Sequence, residues 1–130
     1  MIAADTNLLV RVLVGDDPQQ SAAARKWMST HEHRGIFVDQ IVLVELVWVL
    51  RARYAQSRDE IVRVLDLLLS TGGIVVPEEQ LVRDALQAFR TGRGDFADHL
   101  ICQRAKAHGA SPLATFDRSL HGLRGFAKVR

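Results

Sequence analysis

The spacing of apolar and polar positions changes repeatedly along this chain. Short apolar runs alternate with longer stretches in which apolar residues return every three or four positions. That alternation predicts βαβ units and a parallel sheet. Residues 2–4 read as a first strand ending at Asp5, with a helix over about 6–14. Gly15, Asp16, Asp17 and Pro18 stop that helix and start another over about 18–30, with Asp17 as N-cap and Pro18 in the first helical position. Residues 36–38 form a second strand. Asp39 can cap a long helix over about 40–54. Ser57 and Glu60 match a capping box opening a helix that ends at Gly72 and Gly73. A third strand spans 74–76, helices cover about 78–91 and 95–108, a fourth strand spans 113–116, and an edge strand covers 126–129.

Composition fits this α/β pattern. The chain has 130 residues, the size of one ordinary domain, and no repeat or linker divides it, so residues 1–130 read as a single domain. Residues are 48% hydrophobic but only 6% aromatic, so the core must be built mainly of Leu, Val, Ile and Ala. One cysteine, Cys102, excludes an internal disulfide. No signal-peptide pattern follows Met1, and no apolar run approaches the roughly 20 residues of a membrane span. These features lead to the expectation of a cytoplasmic protein with no membrane partner.

The net charge of +2 says little, but its distribution is uneven. Residues 1–65 hold 8 basic and 8 acidic side chains, whereas residues 90–130 hold 8 basic and 3 acidic. Cation binding by those acids would leave this end attractive to phosphates. A solvated basic surface accounts for the same distribution.

Several acids stand where acids are unusual. Glu45 is the only charged side chain in residues 41–50, a stretch apolar on nearly all sides, which predicts a buried helix. A carboxylate carried there must neutralise, pair or bind a cation, unless it lies on a narrow solvent stripe. Asp98 flanks an apolar face formed by Phe96, Ala97, Leu100, Ile101 and Ala105, and Asp95 precedes it by three residues. Asp95 is equally a natural N-cap. Asp5 and Asp117 each follow a predicted strand, at the sheet edge where α/β sites lie, although each could instead be a cap or turn residue. Carboxylate oxygens are hard donors that select Mg2+ or Mn2+ over zinc. Thr6, Asn7 and Thr115 are placed to orient water or carboxylates, or to serve as turn residues.

Other patterns carry less. The histidines lack zinc-site spacing, and neither a P-loop nor a nucleophile elbow is present. Cys102 reads as a core residue, and Trp27 and Trp48 as packing residues.

Ile2-Ala3-Ala4-Asp5-Thr6-Asn7, Glu45 in its apolar helix, Asp95-Phe96-Ala97-Asp98-His99-Leu100-Ile101 and Thr115-Phe116-Asp117 together resemble the PIN-domain ribonucleases, and within them the VapC-type toxins. The resemblance covers nearly the whole chain. It implies a three-layer α/β/α fold around a central, mostly parallel sheet of four to five strands. It also implies Asp5, Glu45, Asp98 and Asp117 as catalytic metal ligands for Mg2+ or Mn2+, with Asp95, Thr6, Asn7 and Thr115 as accessory residues. The expected activity is RNA cleavage, and the expected partners are a cognate VapB-type antitoxin and a second copy of the chain. His99 departs from the small residue common after the third acid, which bears on substrate access. Two alternatives remain open: a metal-dependent hydrolase of small phosphate esters, and a non-catalytic RNA-binding module of the same fold. Against the first, Asp5-Thr6-Asn7 lacks the second Asp that haloacid-dehalogenase-type hydrolases place two residues on.

Overall fold

The computed structural model describes all 130 residues, which divide into two compact units, Met1–Pro77 and Glu78–Arg130. The first unit contains strands β1 (Ile2–Ala3), β2 (Ile36–Phe37) and β3 (Ile74–Val75) and helices α1 (Thr6–Leu13), α2 (Pro18–His31), α3 (Gln40–Ala52) and α4 (Arg58–Ser70). The second contains α5 (Glu79–Arg90), α6 (Phe96–Ala107), β4 (Leu113–Thr115) and β5 (Phe126–Lys128). Short 3-10 turns at Glu32–Arg34 and Arg118–Leu120 were not expected from the apolar spacing.

Every strand pair is parallel, as the alternating pattern requires. Hydrogen bonding joins β1, β2 and β3 in that order, with Ile2 opposite Ile36 and Ile36 opposite Ile74. β4 pairs with β5, Thr115 lying opposite Lys128. The α/β class is therefore as expected, with the strands bonded as a group of three and a group of two.

Helix starts follow the chemistry of their caps. Asp5, Asp17 and Asp39 each accept a hydrogen bond from a first-turn amide, and Pro18 occupies the first turn of α2. Ser57 and Glu60 close a reciprocal capping box on α4, satisfying two amides that would otherwise lack helical partners. In the first unit, α1 packs on α2 and α3, and α3 on α4, around Leu9, Leu43, Leu46, Leu50, Ile61 and Leu65. In the second, α5 packs along α6, where Phe89 and Phe96 meet edge to face at 6.2 Å. Such pairs add about 0.5–1.5 kcal/mol beyond simple burial.

Helix α3 differs from its sequence expectation. It buries Leu43, Leu46, Val47 and Leu50, but Ile41 and Trp48 are 66% and 63% exposed and Glu45 is exposed between them. These three sit at i, i+4 and i+7, one stripe of a helix. A helix apolar around its whole circumference gives no moment to show which face meets solvent. Glu45 is thus an accessible carboxylate, not a buried one, and Trp48 is a surface residue, not a packing residue. Ile101 is likewise corrected: it is 51% exposed, on the outer side of α6.

Candidate functional site

Asp5 stands at the end of the β1 segment, where Ala4 donates its amide to the Phe37 carbonyl and fixes the chain's exit from the sheet. Its side chain then turns to cap α1, accepting from the Leu8 amide at 2.9 Å. The carboxylate is exposed and sits at the N-terminal end of the helix. Thr6 and Asn7, the first residues of α1, line a cleft of about 280 Å³ together with Arg11, Glu45, Trp48, Arg53 and Tyr54. The first unit therefore brings Glu45 beside Thr6 and Asn7. Asp5 borders an adjoining cleft that also includes Asn7 and Arg11.

Arg11, which the sequence reading did not single out, is held in place on both sides. Its Nε donates to Gln20 Oε1 at 2.7 Å, and its Nη1 pairs with Asp16 at 3.1 Å. The Tyr54 hydroxyl donates to the other Asp16 oxygen at 2.9 Å. That hydroxyl, with the Arg11 charge adding to it, holds the Asp16 carboxyl below its ordinary pKa. The reciprocal effect raises the Tyr54 phenol.

In the second unit, Asp95 is the N-cap of α6, and Asp98 is its capping-box partner. The Phe96 amide donates to Asp95 Oδ1 at 2.9 Å, and the Asp95 amide donates to Asp98 Oδ2 at 3.0 Å. Asp98 is half-buried, and the cap fixes one of its two oxygens. Asp117 ends the β4 segment. Thr115 Oγ1 accepts from the Asp117 amide at 2.9 Å, so the hydroxyl orients the turn that carries the acid. Asp117 Oδ1 in turn accepts from the Ser119 hydroxyl at 2.7 Å and the Ser119 amide at 2.9 Å. These two donors, the hydroxyl foremost, hold the Asp117 carboxyl below the usual carboxylate range. Asp117 is therefore charged at neutral pH.

Ser119 and Arg93 were missed from the sequence. The pair Asp-x-Ser was a legible signal for Ser119, since an Asp side chain commonly accepts from an amide two residues on. Nothing local marks Arg93. Its guanidinium donates to the carbonyls of Ser119 at 3.2 Å and His121 at 2.6 Å, 26 and 28 positions away. His99 is only 5% exposed, with Nε2 2.7 Å from the Arg93 carbonyl and its ring edge to face with Phe126. It fastens the loop ahead of α6, a packing role in place of the substrate-access role considered from sequence. Cys102 is half-buried, its thiol donating to the Gly125 carbonyl at 3.5 Å and its pKa raised by burial. That is the character of an inert thiol.

Each unit thus presents two of the four candidate acids: Asp5 and Glu45 in the first, Asp98 and Asp117 in the second. Within neither unit do three or more His, Cys, Asp or Glu side chains gather into a metal-holding group. No helix is long and apolar enough to cross a membrane.

These features match a known family. The PIN domain model matches residues 2–125, spanning both units and all four acids, and the chain belongs to the PIN-domain family. Within that family it is similar to a VapC ribonuclease of Aquifex aeolicus (strain VF5), at 27% identity over 127 residues, covering 96% of this chain and 93% of the relative. The resemblance to VapC-type PIN proteins read from the sequence is borne out.

Proposed function

We propose that this chain is a Mg2+- or Mn2+-dependent endoribonuclease, the toxin of a toxin–antitoxin pair, working in the cytoplasm. The observation that carries this reading is the PIN match across residues 2–125, joined to similarity with a VapC ribonuclease along nearly the whole chain. In this reading residues 1–130 act as one nuclease domain, and Asp5, Glu45, Asp98 and Asp117 are the metal ligands.

The donor chemistry fits such an ion. All four ligands are hard carboxylate oxygens. Glu45 is exposed, and Asp5 uses its side chain only to accept from the Leu8 amide. Ser119 lowers the Asp117 pKa further, which favours the ionised form that a ligand needs. A divalent cation held there would lower the pKa of a water and stabilise charge on the phosphoryl group. The chain's own residues do the positioning. Thr115 sets the turn bearing Asp117, Asp95 and Asp98 fix each other at the start of α6, and Thr6 and Asn7 offer polar groups beside Glu45.

The same reading includes a homodimer and a cognate VapB-type antitoxin that covers the acids with a basic side chain. An in vitro screen on total RNA with mapped ends tests the central claim. Wild type should cut RNA with Mg2+ or Mn2+ and stop in EDTA. Asp5→Asn and Asp98→Asn should each reduce cleavage to background while circular dichroism stays unchanged. Undiminished cutting by either variant would remove that acid from the site. Turnover of a phosphomonoester without action on RNA would replace the ribonuclease reading with a small-ester hydrolase.

A further inference from the structure

The cleft between α1 and the end of α3 carries more than Glu45. Its lining includes Thr6, Asn7, Arg11, Trp48, Arg53 and Tyr54. Trp48 lies three positions after Glu45 on α3, so the two side chains are neighbours on one helix face. The indole is 63% exposed, an unusual placement for the largest apolar side chain in a chain with only two tryptophans. Trp27, by contrast, is half-buried and packs against the ring of His31 at 4.5 Å.

The charged groups lining the cleft suit an anion. Arg11 and Arg53 outnumber Glu45, and Asp16 is not among the lining residues. The tether through Gln20 Oε1 and Asp16 Oδ1 occupies Nε and Nη1 of Arg11, and Nη2 has no hydrogen-bond partner within the chain. A planar guanidinium held at Nε and Nη1 is pre-organised to donate from Nη2, at little further entropy cost. Tyr54 secures the arrangement by holding Asp16 in place. An exposed aromatic face beside two guanidiniums is the combination that binds single-stranded nucleic acid, where stacking accepts any base and cations follow the backbone.

We infer that this cleft is a nucleotide subsite for single-stranded RNA, with a base stacked on Trp48 and a backbone phosphate held by Arg11 and Arg53 next to Glu45. The inference deepens the ribonuclease reading and rests on it. Trp48 and Arg53 are binding residues in this scheme, and Asp16, Gln20 and Tyr54 are positioning residues acting through Arg11.

The test uses the full chain in an Asp5→Asn background, so that an unstructured, fluorescein-labelled RNA dodecamer survives the measurement. Fluorescence anisotropy should show Trp48→Ala raising Kd about tenfold, a loss typical of one stacked base. Trp48→Phe should restore most of the affinity. Arg53→Ala should weaken binding and flatten the dependence of log Kd on log salt by about 0.7, as removal of one phosphate contact on a single strand requires. With Trp27 replaced by Phe, emission from Trp48 should be quenched when RNA is added. Trp48 and Arg53 are exposed, so these variants fold. Kd values within twofold of the parent for both alanine variants would overturn the subsite. So would a change of oligomeric state in Trp48→Ala by sedimentation equilibrium, which would assign this face to contact between copies of the chain. Wild type that cuts RNA while Trp48→Ala binds normally removes the subsite alone. Wild type that binds through Trp48 but never cuts removes the ribonuclease reading and leaves the subsite standing.

Discussion

Replacing Gly94 by Ala probes the loop that leads into the candidate acids of the second unit. Gly94 has φ +77°, in the left-handed region, where a residue bearing Cβ is strained by about 1–2 kcal/mol. Reduced freedom of the unfolded chain returns about 0.4–1 kcal/mol of that. The added methyl would stand 2.6 Å from Leu120 Cδ2 and 2.9 Å from His99 Nε2. Neither neighbour can move away cheaply. Leu120 is 2% exposed, and His99 Nε2 is fastened to the Arg93 carbonyl. Overpacking at such a site costs about 1–3 kcal/mol, so the total destabilisation should be about 1–5 kcal/mol, centred near 3. Gly109 supplies the control, because its φ is +78° and nothing lies within 4 Å of the site of its would-be Cβ. Gly109→Ala should cost only the backbone part, about 1 kcal/mol. Urea unfolding of the two variants side by side isolates the packing contribution. The Tm of Gly94→Ala should fall by on the order of 10 °C. Cleavage of RNA should also drop at temperatures where the variant is still folded, since Leu120 follows Asp117 and His99 follows Asp98. Equal stability of the two variants would refute the claim that this loop is packed against Leu120 and His99.

Further outcomes follow from single contacts. Ser119→Ala removes the hydroxyl that most lowers the Asp117 pKa, so an NMR titration should show that carboxyl moving up, with global stability changed by less than about 0.5 kcal/mol. Ser57→Ala breaks the capping box of α4 and should cost about 1 kcal/mol in urea unfolding. Glu60, whose carboxyl is lowered chiefly by the Ser57 amide, contributes stability that is complete above its unfolded pKa and is lost as pH falls through the lower folded value. Glu60→Gln should therefore narrow the stability gap between neutral and acid pH, and an unchanged gap would count against the box. His99→Leu should cost about 1–3 kcal/mol by leaving the Arg93 carbonyl without its partner.

Much of this architecture could be read before the structure, because helix starts are written locally. Asp17 with Pro18, Asp39, Ser57 with Glu60, and Asp95 all cap the helices their chemistry suggested. The four strands before the last also lie where apolar runs end in Asp, Pro or a turn. The exposed stripe of α3 was hidden for the opposite reason. Ile41 and Trp48 are as apolar as their buried neighbours, so only tertiary packing decides that Glu45 faces solvent. The candidate acids were legible from their order along the chain. Their supports were not, because Arg93 meets Ser119 and His121 across nearly thirty positions, and Arg11 depends on Tyr54 through Asp16.

The pairing of β1 with β2 has a consequence for how the chain assembles during synthesis. Ile2 pairs with Ile36, and the Ala4 amide just ahead of Asp5 is bonded to Phe37. The segment carrying Asp5 therefore has no sheet partner until residues about 34 positions later have emerged. At roughly 5–20 residues per second that interval is about 2–7 s. Until then α1 can form but cannot be anchored, so Asp5 waits on a later strand before its place is fixed.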